Sequence, residues 1–158
     1  MADGASRIIR LTLAEALAQR RIPEVEQERS AAIFDLLERN HFRLLQGPDG
    51  PYAVELGIDG SRLVLAVRDA DDQHLTAFGL ALGPFRRVVK DYFAICESYY
   101  DAIRHLAPSQ IEAIDMGRRA VHNEGSELLR ARLDGKVELD FDTARRLFTL
   151  LCVLHFRG

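Results

Sequence analysis

The sequence predicts an α+β domain, a small and mainly antiparallel four-stranded sheet packed with one N-terminal helix and a three-helix C-terminal half. Three observations lead there. Between residues 52 and 82, apolar and polar residues alternate in three short runs, the period of a strand with one buried face. From residue 83 onward, apolar positions recur at three- and four-residue steps, the period of a helix. A chain of 158 residues with 47% hydrophobic and 28% charged side chains is sized for one globular domain, residues 1–158, with a substantial core.

Residues 1–6 are small or polar and are expected to fray, whereas residues 7–13 (RIIRLTL) are β-branched and apolar enough for a strand. Residues 14–22 read as a helical turn or a connection. Pro23 opens the first helix where its missing N–H costs nothing, and Glu24, Glu26 and Glu28 crowd the first turns, where carboxylates offset the positive end of the macrodipole. Val25, Ala32, Ile33, Leu36 and Leu37 form its packing side. The helix should end near Asn40, ahead of the turn-rich QGPDGP at 46–51, with Phe42 and Leu44 tucked back onto the domain. The runs 52–58, 62–68 and 75–82 complete the sheet, with Asp59-Gly60 as a hairpin signal. Asp69, Asp71 and Asp72 read as a solvated turn, because no twelve-residue calcium loop with a closing glutamate surrounds them.

Gly83-Pro84 ends the last strand and begins a helix over 85–106, whose buried side carries Phe85, Val88, Val89, Tyr92, Cys96, Tyr99 and Ile103. The next helix, 108–133, is the least ordinary stretch of the chain. Ile111, Ile114, Val121 and Leu129 define its apolar side, and Arg118, His122 and Gly125 fall within that side. Ser109 and Glu112 fit a capping box at its start, Asp134-Gly135 ends it, and residues 136–139 follow as a short extended link. The final helix, capped by Asp140 or Asp142, is apolar around almost its whole circumference. That places it at the centre of the helical layer or against a protein partner or a second copy of the chain.

A net charge of −3 and a pI near 6.0 offer no global attraction to nucleic acid or anionic lipid. Of the 21 basic residues only Lys90 and Lys136 are lysines, and arginine is the cation that pairs bidentately with carboxylates and phosphates and tolerates partial burial. Cys96 and Cys152 lie in apolar helical patterns without metal-ligand spacing and read as buried free thiols. The N-terminal residues lack the apolar region of a secretion signal, and the most hydrophobic run, 147–156, is far shorter than a membrane span. A cytoplasmic protein without membrane insertion is expected.

No phosphate-binding glycine loop, nucleophile elbow or paired-histidine metal motif occurs, so neither a cofactor nor a metal is expected. Two sets of residues nevertheless stand out. Arg86, Arg87 and Lys90, and again Arg145 and Arg146, place positive charge near helix starts, where the macrodipole opposes it unless acids or an external anion compensate. With Arg118 they form a candidate anion-binding set for a phosphate or carboxylate. Asp115, Arg118, His122 and Gly125 form a candidate internal polar joint. There Gly125 permits close approach of another helix, while Arg118 and His122 need carboxylate or carbonyl partners to offset burial.

The runs PEVEQERSAAIFDLLE from Pro23, FRRVVKDYFAICESYYDAI from Phe85, PSQIEAIDMGRRAVHNEGSELL from Pro108 and DTARRLFTLLCVLHFRG from Asp142 resemble uncharacterised protein family 0262, small alphaproteobacterial proteins. The resemblance spans nearly the whole chain and implies a bacterial cytoplasmic setting. It carries no catalytic roles with it. The absence of a catalytic motif favours a non-enzymatic interaction or regulatory protein. The alternative is a phosphorylated-metabolite-binding protein, or a phosphate-handling enzyme, built on the arginine-rich anion site.

Overall fold

The computed structural model describes residues 5–14 and 23–155. Of the start at 1–6, expected to fray, residues 1–4 lie outside the described residues, as do most of the connection at 14–22, the last residues from Phe156 and the side chains of Pro23, Glu24, Val25 and His155. Ser6, by contrast, is buried, and its carbonyl accepts the Phe42 N–H at 3.0 Å. In chain order the elements are β1 (Ile8–Ala14), α1 (Pro23–Glu38), β2 (Phe42–Leu44), β3 (Tyr52–Asp59), β4 (Arg62–Asp69), β5 (His74–Ala81), α2 (Arg86–His105), α3 (Pro108–Leu133), β6 (Val137–Leu139) and α4 (Phe141–His155). A single 3-10 turn, Gly83–Phe85, leads into α2.

The main sheet has the order β1-β3-β4-β5 and is mixed. The pairs β3–β4 and β4–β5 are antiparallel hairpins, whereas β1 runs parallel to β3, with Leu11 opposite Val54 and Leu13 opposite Leu56. A parallel pair needs a crossover between its strands, and here α1 and β2 lie in that connection. The β3–β4 turn passes through Gly60 at φ +62°, a left-handed conformation that glycine adopts without strain. In the next turn the Asp69 carboxylate accepts the amides of Asp71 and Gln73, and Asp72 pairs with Arg10 at 2.8 Å, so these acids close and anchor a hairpin.

A second, two-stranded sheet was not expected. Phe42 to Leu44 and Val137 to Leu139 pair antiparallel, which makes the supposed link at 136–139 a strand. Phe42 and Leu139 are buried beneath it, while Glu138 on its outer side bridges His41 and Arg43. Between this ribbon and β1, the side-chain amide of Asn40 accepts the Ile8 N–H at 2.7 Å and donates to the carbonyls of Ile8 and Leu36.

One hydrophobic cluster runs from Ile8 and Leu36 through the inner face of β3 and β4 to α2, α3 and α4. Helix α4 sits deepest: Phe148, Leu150 and Leu151 are fully buried, and α1, α3 and β3 pack around it. Helices α2 and α3 form a hairpin whose far end projects beyond this core. Ile103, expected on the buried side of α2, is therefore 52% exposed, and Ala102 is buried in its place. The start of α3 also departs from expectation. Pro108 occupies the first helical position, so Ala107 is the cap and Gln110, rather than a Ser109–Glu112 box, reaches back to accept its N–H at 3.1 Å. At α4 the cap is Asp140, which accepts the Thr143 N–H at 3.0 Å.

Candidate functional site

Helix α3 brings Arg118 and His122 to the same side one turn apart, and α4 brings Arg145, Arg146 and Thr149 to meet them. The fourth wall belongs to α1, whose Glu28, Ala31, Ala32 and Asp35 share a face by helical spacing. Together with Tyr92 of α2 they enclose a pocket of about 240 Å³ that opens to solvent.

His122 forms the floor and is buried. Its Nε2 lies 2.7 Å from the Thr149 hydroxyl, which is itself 3.2 Å from the Arg145 carbonyl, so one hydroxyl ties the ring to α4. The rings of Tyr92 and Phe148 meet the imidazole edge-on, at centroid distances of 5.3 and 5.2 Å. Burial, then the neighbouring Arg145, Arg118 and Arg146, bring its pKa down to about 4, and the ring is neutral at physiological pH. Ser126 offers no nucleophile beside it, being fully buried with its hydroxyl proton given to the His122 carbonyl at 2.8 Å.

Arg118 donates to Asp115 through Nη2 at 2.6 Å and Nε at 3.1 Å, and its guanidinium carbon stands 4.8 Å over the Tyr99 ring. Desolvation is the largest single influence and disfavours its charge, but the Asp115 hydrogen bonds together with the neighbouring Tyr92, Asp115 charge and Cys96 outweigh it and hold the pKa above the usual arginine value. Arg119 shares the same carboxylate at 2.8 Å. Those hydrogen bonds and charges in turn hold Asp115 below the usual carboxylate range. The α4 wall is less satisfied. Arg145 approaches Asp142 only at 4.0 Å and keeps a buried Nε with no hydrogen-bond partner, and Arg146 has no ion pair among the described residues.

Facing them, Glu28 accepts a hydrogen bond from the Tyr92 hydroxyl at 3.0 Å. Burial raises its pKa against the opposing pull of Tyr92 and Arg118. Neither Glu28 nor Asp35 forms an ion pair among the described residues.

The six basic residues singled out from the sequence therefore divide. Arg118, Arg145 and Arg146 converge on one pocket, whereas Arg86, Arg87 and Lys90 lie exposed at the start of α2. There Arg87 is paired with Asp91 and Glu124, which supply the compensation its position requires. Of the four joint residues, Asp115, Arg118 and His122 line or support the pocket, and Gly125 lies one turn deeper against the Phe148 ring. Sequence reasoning missed Glu28, Asp35 and Thr149. Glu28 was hidden among carboxylates at a helix start, but the Arg145–Thr149 spacing of one turn was a usable signal. Among the described residues no group of histidine, cysteine or carboxylate side chains is arranged to hold a metal, and no helix is long and apolar enough to cross a membrane.

Relatives of this α+β chain occur among alphaproteobacteria. It is 56% identical to a UPF0262 protein of Ruegeria pomeroyi, with 97% of this chain and 98% of the relative covered. It is 54% identical to one of Rhizobium etli over the full length of both, and 57% identical to one of Rhodospirillum rubrum, covering 96% of this chain and 93% of the relative. The model of the uncharacterised protein family UPF0262 matches residues 5–157, and the chain belongs to that family. No solved structure matches it.

Proposed function

We propose that the chain is a non-enzymatic regulatory binding protein of the bacterial cytoplasm that takes a small anion in the pocket between α1, α3 and α4. The observation that carries this reading is the convergence of Arg118, Arg145 and Arg146 on one pocket, where Arg145 approaches Asp142 only at 4.0 Å and Arg146 has no ion pair among the described residues. An oxyanion seated between these guanidinium groups would gain charge-assisted hydrogen bonds and offset the repulsion among the like charges. A neutral His122 leaves the arginines as the cations an anion would meet. Phe34 of α1 and Met116 of α3 are 66% and 64% exposed on two of the helices that line the pocket, and each is an apolar contact available to a partner.

A second reading, a phosphate-handling enzyme, draws on one different observation. Glu28 and His122, two groups able to take or give a proton, line the same cleft as the three arginines.

Thermal shift at low ionic strength with phosphate, pyrophosphate and simple carboxylates tests the binding reading. A ligand at about one hundred times its Kd adds about 2.7 kcal/mol of stability. That gain is expected to disappear in Arg145→Ala, Arg146→Ala and Arg118→Ala and to survive in an Arg86→Ala/Arg87→Ala double variant. No response to any anion would remove the reading.

A further inference from the structure

We infer that the ligand is a small zwitterion, with its oxyanion on the arginine wall of α3 and α4 and an ammonium group on the carboxylates of α1. This rests on the anion-site reading above and goes beyond it by naming the second charge. The pocket is divided by sign. Arg118, Arg145 and Arg146 stand on one side and Glu28 and Asp35 on the other. These opposite charges do not close on one another, since no ion pair joins either carboxylate to an arginine among the described residues.

Glu28 and Asp35 are seven residues apart on α1, two turns along one face, and the residues lining the pocket between them are Ala31 and Ala32. Small side chains at those two positions keep the space between the carboxylates open. Glu28 Oε1 accepts the Tyr92 hydroxyl proton, which orients the carboxylate and leaves Oε2 without a hydrogen bond among the described residues. Burial makes its lone negative charge costly, and an ammonium partner would lower that cost.

A simple anion in this pocket meets two carboxylates, and a simple cation meets the arginines. A molecule carrying both charges satisfies both walls. The volume of about 240 Å³ suits something the size of an amino acid or a phosphorylated small amine.

Isothermal titration with matched probes tests this: phosphoethanolamine against ethyl phosphate, and β-alanine against propionate. In at least one pair the ammonium-bearing member is expected to bind about tenfold more tightly, the value of one added charge-assisted hydrogen bond. Glu28→Gln/Asp35→Asn should shrink that ratio to about twofold or less. The exposed single variant Asp35→Asn, with circular dichroism as a folding check, should shrink it in part. Equal binding within both pairs would overturn the zwitterion and leave the anion reading standing, whereas no binding by any of the four probes would overturn both. A ratio that survives in the folded double variant would also overturn the assignment to α1.

Discussion

Gly125 of α3 lies against the ring of Phe148 of α4 so closely that a Cβ in its place would overlap Cζ, Cε1 and Cε2 of that ring. Phe148 is fully buried, with the rings of Tyr92 and His122 packed edge-on against it. Gly125→Ala is therefore expected to destabilise the fold by about 2–3 kcal/mol through overpacking, even though alanine favours a helix by about 1 kcal/mol. Urea denaturation measures it. Adding Phe148→Leu should cost less in the Gly125→Ala background than in the native chain, and strict additivity of the two changes would contradict direct contact.

The imidazole of His122 makes stability depend on acid. Its pKa is about 4 in the fold against 6.5 for an ordinary histidine, so between these values the unfolded chain holds a proton that the folded chain does not. The contribution is complete above pH 6.5 and is lost as the pH falls through about 4, with an amplitude on the order of 3 kcal/mol. Urea midpoints across this range should fall with pH and should flatten in His122→Gln. An unaltered slope in that variant would place the acid sensitivity elsewhere.

Glu28 has the opposite sign. Its pKa is raised in the fold, so its contribution is present below the ordinary carboxylate range and is lost as the pH rises through the raised value. Glu28→Gln keeps an oxygen for the Tyr92 hydroxyl and removes the buried charge. It should raise stability at pH 7 by about 1 kcal/mol, a gain of the kind found where a binding group is kept at the expense of the fold. A lower Tm in this variant would mean that the carboxylate is already compensated.

Cys96 and Cys152 are buried free thiols. Burial pushes the Cys96 thiol up to about 11 and Cys152 well above its ordinary value, which keeps both protonated. A disulfide reagent at pH 8 should label neither in the native protein and both in guanidinium. Rapid native labelling of Cys96 would show that α2 opens locally.

Much of this architecture is legible from periodicity and punctuation. Pro108 and Asp134-Gly135 bound α3, and alternation marks β3, β4 and β5. What alternation does not carry is direction: a side-chain period of two is the same for parallel and antiparallel partners, so β1 beside β3 could not be oriented in advance. The β2–β6 ribbon joins three-residue strands from opposite halves of the chain, too short for any periodic signal. In the candidate site, Arg118 and His122 are visible as interruptions of an apolar stripe. Their meeting with Arg145, Arg146 and Glu28 depends on how three helices pack, and local spacing holds no trace of that.

Asn40 has a consequence for association. Its side-chain amide offers the outward N–H and C=O of Ile8 the same donor and acceptor that a neighbouring peptide unit would, and the Phe42 N–H occupies the Ser6 carbonyl beside it. The first positions of the β1 edge are thereby closed to an incoming strand. The opposite edge, β5, has the sequence HLTAFGLA, without lysine, arginine or a carboxylate, and no strand pairs with its outer side among the described residues. Strand addition between copies under destabilising conditions should therefore begin at β5, and Ala77→Lys, at an exposed position, would be the smallest change to block it.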